Sequence, residues 1–220
     1  MPATRPATET GDCTAPGHSS ALLLDLVERL AVVIFFGWFI YRNLAGYWAG
    51  GEAASLLLLP SEGLVVLFIL IRRTTRDVST RPTEWLLAIA ASVAPLLVIP
   101  VAGQQIVPSM VAVVFILGGL LVQLHAKITL GRCFGLIPAN RGLKRAGPYR
   151  VVRHPMYTGY LISHVGFLLM NPTIWNLSVY AVCYSLQIPR LLAEERILSA
   201  DPKYVNYSKR VRYRLLPGIF

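Results

Sequence analysis

Long apolar runs separated by short basic loops constrain this chain more than any other feature. Four such runs lie before position 126: about Leu22 to Leu44, Ala53 to Ile71, Glu84 to Val101 and Pro108 to His125. About 20 apolar residues in a helix cross a hydrocarbon core of about 30 Å. Hydrophobic residues make up 55% of the sequence and charged residues only 15%, against about a quarter charged in soluble domains. With a mean hydropathy of +0.55, the chain reads as a polytopic membrane protein. Its 220 residues suit one compact bundle. The net charge of +10 does not point to nucleic acid, because the basic residues sit in loops between the runs, where membrane topology places them.

Those loops set an expected topology. Arg72, Arg73, Arg76 and Arg81 follow the second run and mark the cytoplasmic side. Lys127, Arg132, Arg141, Lys144, Arg145, Arg150 and Arg153 follow the fourth and mark it again. Both termini are therefore expected in the cytoplasm. From Thr158 to Ile188 the chain is apolar once more, but Asn171-Pro172 interrupts it as a turn. The expected fold is all-α: a transmembrane bundle of four spans plus a C-terminal membrane helical hairpin, with a cytoplasmic C-terminal cofactor-binding segment. Residues 1–20 are expected to be a disordered tail rather than a cleaved signal, 21–126 the four spans, and 127–220 the functional core.

Local signals add detail. Asp25, Glu28 and Arg29 can pair within one helical turn. Pro60 is expected to kink the second helix. Glu62 is an ionisable residue inside a span, read as sitting near the outer interface or pairing with Arg42 or a polar neighbour. Gly118-Gly119 permits close helix contact. Asp201-Pro202 reads as a helix start, with Asp201 as N-cap; Tyr204, Tyr207 and Val211 then share a face.

The chain lacks GxxxxGK[ST], GxSxG and HExxH patterns and a Rossmann glycine fingerprint. Cys13, Cys133 and Cys183 are odd in number and widely spaced, and His18, His125, His154 and His164 have no metal-ligand spacing, so no metal is expected. His164, on an apolar run, reads as a hydrogen-bonded bundle residue. Three clusters remain: Arg141 to Tyr149, Arg153 to Gly159, and Arg190 to Glu195. Each alone has a plain explanation, a polybasic loop holding anionic lipid or an ion pair beside headgroups. Arg190 and Glu194 share a helix face close to the bilayer, where charges are costly unless paired or used.

The joint order of these clusters is more specific. Gly-Pro-Tyr-Arg, then Arg-His-Pro-Met-Tyr-x-Gly, an Asn-Pro hairpin, Arg-x-x-x-Glu-Glu, Tyr-x-x-Tyr and a closing Leu-Pro span about Leu130 to Pro217. This series resembles the integral-membrane methyltransferases, which comprise the isoprenylcysteine carboxyl methyltransferases and the phospholipid N-methyltransferases. The resemblance implies S-adenosylmethionine as cofactor, held without a Rossmann fold under the C-terminal segment. By motif position it implies that Leu143, Tyr149, His154, Pro155 and Tyr157 line the cofactor pocket, that Glu194 contacts the cofactor, and that Arg190 faces the substrate. Arg153 joins this set, for the cofactor carboxylate or for bracing. One departure is visible: where the carboxyl methyltransferases tend to have His-x-Leu-Val, this chain has Arg141-Gly142-Leu143-Lys144.

The implied reaction is methyl transfer to a lipid-like acceptor that enters from the bilayer, foremost a carboxylate such as a prenylcysteine-type α-carboxyl. A carboxylate needs no general base; Arg190 would orient it. A phospholipid amine would need Glu194 or Glu195 to take a proton. Two other readings stand beside this one. Membrane sterol reductases have a similar Arg-His-Pro-x-Tyr-x-Gly pattern and use NADPH, and a non-enzymatic protein would use its basic loops simply to hold anionic lipid.

Overall fold

The computed structural model describes residues 18–48, 59–72, 78–79, 81–101 and 105–220. Among these the architecture is all helical, with no strand beyond an isolated bridge between Val78 and Ala139. The helices are α1 (His18–Trp48), α2 (Leu59–Ile71), α3 (Pro82–Val93), α4 (Ser109–Leu130), α5 (Pro155–Met170), α6 (Ile174–Leu198) and α7 (Pro202–Arg210). Short 3-10 turns follow α3 at Ala94–Leu97 and α4 at Gly131–Cys133, and another at Gly147–Arg150 precedes α5. The expectations for the N-terminal tail fall outside the described residues except at 18–20, which open α1 rather than being disordered; the loop at Arg73 and Arg76 and the side chains of Arg42, Pro60 and Glu62 also fall outside them. One described segment, Ser109–Cys133, is long and apolar enough to cross a membrane, and Pro82–Leu97 is a shorter apolar helix.

The bundle exposes many large apolar side chains and buries several charged ones. Leu23, Ile34, Trp38, Trp48, Leu86, Met110, Val114, Leu121 and Leu177 are all exposed on helix surfaces. Asp25, Glu28, Arg72, Lys127, Asn176 and Gln187 are buried. Charged groups inside require partners, and they have them: Arg72 meets Asp25 at 2.6 Å and Glu28 at 2.7 Å.

α4 and α5 form the tightest helix pair, and glycine makes it possible. A Cβ at Gly159 would stand 2.7 Å from the Gly119 carbonyl and 2.9 Å from the Gln123 nitrogen. A Cβ at Gly166 would stand 2.8 Å from the Ala112 carbonyl. Small residues at such a seam let backbones approach where lipid offers no hydrophobic drive to associate. Of the expected glycine pair, Gly119 lies in the seam and Gly118 faces open space.

The Asn-Pro turn lies where the sequence places it, between α5 and α6. Asn171 Oδ1 accepts from the Val101 amide at 2.7 Å. Asn176, fully buried, reads both backbone groups of Ile99: its Oδ1 accepts from Ile99 N at 2.9 Å and its Nδ2 donates to Ile99 O at 2.9 Å. These two amides tie off the extended segment that leaves α3. The hairpin differs from expectation in its second arm. α6 does not stop near Ile188 but continues to Leu198 through Pro189, so Arg190 to Glu195 lie in its last turns, with Arg190 and Glu194 on the shared helix that their spacing suggests. Pro189 removes only the donor for the Ser185 carbonyl.

The opposite end of the bundle carries the loop Phe134 to Leu143. Phe134 plugs a core of Val32, Val65, Phe68 and Ile69 from α1 and α2. Glu28 of α1 then reaches into the loop. Its Oε1 accepts from the amides of Leu136 at 2.9 Å and Ile137 at 3.0 Å, and its Oε2 meets Arg141 at 3.3 Å. The first helix therefore fixes the backbone of a loop more than a hundred residues away in sequence.

Candidate functional site

The Arg-His-Pro motif sits at the entry to α5. Pro155 takes the first helical position, where a missing N–H costs nothing, and its ring is fully buried. The segment after α7 crosses over this entry. Arg153 N donates to Tyr213 O and His154 N to Arg214 O, both at 2.9 Å, and Thr158 Oγ1 donates to Leu215 O at 2.7 Å. α7 itself starts as expected, with Asp201 accepting from the Lys203 amide at 2.8 Å. Tyr204 and Tyr207 are its buried face. Tyr207 donates to the Tyr149 carbonyl at 2.7 Å, joining α7 to the Gly-Pro-Tyr turn.

Glu195 is the hub of this closure. It accepts from Arg153 Nη1 at 2.9 Å, His154 Nε2 at 3.1 Å, Tyr204 Oη at 3.1 Å and Arg214 Nε at 2.8 Å. Burial opposes its charge, but the hydrogen bonds from His154 and Arg214, with the charges of His154 and Arg153, outweigh burial and hold the carboxyl down to about 2. A carboxylate so held is a brace and a poor proton acceptor, which removes Glu195 from the two acids considered as a base. Burial raises the Tyr204 hydroxyl, and Glu195 adds to the effect. Burial likewise pushes Tyr207 up to about 12.

Beneath this closure lies a polar cleft. Leu143, Tyr149, Arg153, His154, Tyr157, Arg190 and Glu194 all line it. Seven of the eight expected residues thus converge on one space; Pro155, expected to line it as well, is instead fully buried and does not. Arg153 also braces, through Glu195 and through Arg212 O at 3.2 Å. Sequence reading did not assign Arg141, which lines the same cleft and is buried. Burial lowers its guanidinium below the ordinary value against the opposing charge of Glu28. Arg141 Nε and Arg153 Nε are buried without a hydrogen-bond partner. Glu194, half-buried, accepts only a long 3.5 Å contact from Tyr157 Oη among the described residues. The cleft therefore offers orphaned guanidinium donors, one loosely held carboxylate and tyrosine rings. This set fits a zwitterionic, cationic cofactor: donors for a carboxylate, Glu194 for an ammonium or sulfonium, and aromatic faces.

A second cavity, a chamber of about 290 Å³, opens among the helices. Its walls are mainly apolar, with Phe36, Phe39, Val65, Leu117, Phe167 and Tyr180 among them. His164 lies on its wall, bonded through Nδ1 to Tyr184 Oη at 2.9 Å, as its apolar setting led us to expect. Leu136, Met156, Tyr157 and Arg190 line both cavities and form the wall between them. Arg190, on that wall, donates to Leu136 O at 2.8 Å and to Ser92 Oγ at 3.4 Å, and its guanidinium lies 5.7 Å from the Tyr157 ring centre.

Comparison with known proteins shows what this arrangement is similar to. Residues 107–201 match the phospholipid methyltransferase family, a segment that includes the four residues of the wall between the cavities. Among curated proteins, protein-S-isoprenylcysteine O-methyltransferase A of Arabidopsis thaliana is 34% identical over 107 residues, 46% of this chain and 50% of that protein. The cobalt-zinc-cadmium resistance protein CzcN of Cupriavidus metallidurans is 33% identical over 73 residues, 32% of this chain and 34% of that protein. The nickel-cobalt-cadmium resistance protein NccN of Alcaligenes xylosoxydans is 30% identical over 70 residues, 31% and 33% of the two chains. The chain thus spans between a third and a half of the length of these relatives.

Proposed function

We propose that the protein is an S-adenosylmethionine-dependent methyltransferase of the membrane that methylates an apolar acceptor carrying a carboxylate, of the prenylcysteine type. The observation that carries this reading is the shared wall: a polar cleft and an apolar chamber meet at Leu136, Met156, Tyr157 and Arg190. The cofactor enters the cleft from the cytoplasm, and the acceptor enters the chamber from the bilayer. Arg141, Arg153 and Glu194 hold the cofactor's charged groups. When bound, the cofactor supplies an electrophilic sulfonium methyl. Arg190 forms no ion pair among the described residues, so its charge is available to orient an acceptor carboxylate at the wall. Positioning of this kind carries much of the rate of an in-line displacement. The brace from Glu195 and the tail keeps water from the cleft.

The surrounding reading is of an integral membrane protein with both termini in the cytoplasm, supported by the basic loops and the exposed apolar helix faces. The family description favours one second reading, a phospholipid amine as acceptor; Glu194 would then take the proton. Calorimetric titration of the detergent-purified protein with S-adenosylhomocysteine tests the cofactor claim. Saturable binding is expected in wild type, with a loss of about tenfold or more in Glu194→Gln and Tyr157→Ala. NADPH is titrated in parallel. Binding of NADPH would move the reading to a reductase, and binding of neither ligand would leave a lipid-holding scaffold.

A further inference from the structure

The apolar chamber holds a polar group well away from the wall. His164 lies on α5 about two turns beyond Tyr157, roughly 10 Å further along the helix axis, and both residues line the chamber. Two tyrosine rings lie nearly parallel to its imidazole, Tyr180 at 4.5 Å and 24° and Tyr160 at 6.2 Å and 15°, so its polar contacts are made at the ring edge. Nδ1 meets Tyr184 Oη at 2.9 Å, and Tyr184 does not line the chamber. The Tyr184 hydroxyl has no other partner among the described residues, so its one proton goes to Nδ1 and the ring proton sits on Nε2. With Nδ1 turned to Tyr184, the Nε2 edge is the one that His164 presents to the chamber. Nε2 has no hydrogen-bond partner among the described residues, and it is not among the unpartnered atoms sealed inside the protein. Gln123 and Ser163, on the same lining, answer each other at 3.1 Å.

A donor left open in an apolar chamber loses its hydrogen bond when a hydrocarbon displaces water from it, and regains it from a ligand that brings an acceptor to the same depth. Extended chain gains about 3.3–3.6 Å for every three bonds, so the roughly 10 Å from the wall corresponds to about nine bonds. We propose that His164 is a specificity-determining residue, and that the apolar chain of the acceptor carries a neutral oxygen, a carbonyl, ether or hydroxyl, about nine bonds from the carboxylate that Arg190 holds. A plain hydrocarbon tail leaves Nε2 unanswered. A charged group at that depth is excluded by the cost of desolvating it among apolar walls. This inference rests on the methyltransferase reading and narrows its acceptor to oxygenated chains.

Two isomeric keto acids separate the position of the oxygen from its polarity: 10-oxooctadecanoate, with the carbonyl nine bonds from the carboxyl carbon, and 4-oxooctadecanoate, with the same composition and the carbonyl near the wall. Both are titrated into the full chain in detergent with S-adenosylhomocysteine present. Wild type is expected to bind the 10-oxo isomer about tenfold more tightly than the 4-oxo isomer, the worth of one hydrogen bond. His164→Phe keeps a ring beside Tyr180 and removes the donor, and it is expected to bind both isomers at the weaker level. The wild-type ratio stands as a test even if that variant misfolds. Equal binding of the two isomers by wild type would overturn the inference, as would a preference that survives in His164→Phe. Binding of neither isomer while S-adenosylhomocysteine still binds would overturn it alone. Absence of S-adenosylhomocysteine binding would remove the methyltransferase reading and this inference together.

Discussion

Successive residues on a helix point about 100° apart, and at the end of α6 that angle separates two acids into two tasks. Glu194 faces the cleft with one long contact, whereas Glu195 turns away and gathers His154, Arg153, Tyr204 and Arg214. Replacing Glu195 with Gln leaves Arg153 and Arg214 without their carboxylate and is expected to cost about 3 kcal/mol. The test is hydrogen exchange at the Arg153 and His154 amides, which donate to the tail; unchanged protection would show that the tail does not depend on this hub. The same group makes the closure acid-sensitive. The Glu195 carboxyl is lower in the folded protein than its ordinary 4.5, at about 2, so its contribution is complete above 4.5 and is lost as pH falls toward 2. Thermal unfolding followed from pH 6 down to pH 3 should show stability falling only below about 4.5, and Glu195→Gln should flatten that slope.

Two elements position the site from a distance. α1 holds the cleft loop through Glu28, with Arg72 and Arg141 beside it. Glu28→Ala strands the buried Arg141 guanidinium and two backbone amides and leaves Arg72 with Asp25 alone, and an expected loss of about 3–5 kcal/mol should weaken S-adenosylhomocysteine binding although Glu28 does not line the cleft. Titration of a folded Glu28 variant with unaltered affinity would refute that coupling. α5 is pinned to α4 at Gly159, and Gly159→Ala should cost about 1–3 kcal/mol through forced separation of the two backbones, read as a lower melting temperature in detergent. These long-range ties explain what the sequence could and could not reveal. The Asn171-Pro172 turn and the Asp201 cap were legible because each is decided by its own few residues. The eight motif residues were legible as a group through their order along the chain. The loop partners of Glu28 lie more than a hundred residues away, and Glu195 draws donors from 41 residues before it and 19 after, so no local pattern announces either. The shared helix face of Arg190 and Glu194 was legible from their spacing, but the further reach of α6 to Leu198 was not, because the apolar run ends at Ile188.

At the scale of the whole molecule, the described ends of the basic segments meet at one end of the bundle, where Val78 bridges Ala139 and Arg132 donates to Ile71 O, and Ile106 lies at the other, donating to Leu169 O near the end of α5. The proposed orientation makes a direct prediction. Cysteine introduced at Val151 or Lys203, both exposed, should react with a membrane-impermeant maleimide from the cytoplasmic face; at exposed Ile106 it should react only from the opposite face. Labelling of all three from one side would invalidate the topology. The wall of Leu136, Met156, Tyr157 and Arg190 also has a kinetic consequence. One reactant is counted per volume of water and the other per area of membrane, so the two saturation curves have different dimensions. Diluting the acceptor with inert lipid, at constant total amount, should slow turnover as its surface density falls, while adding cofactor to the water cannot restore the lost rate.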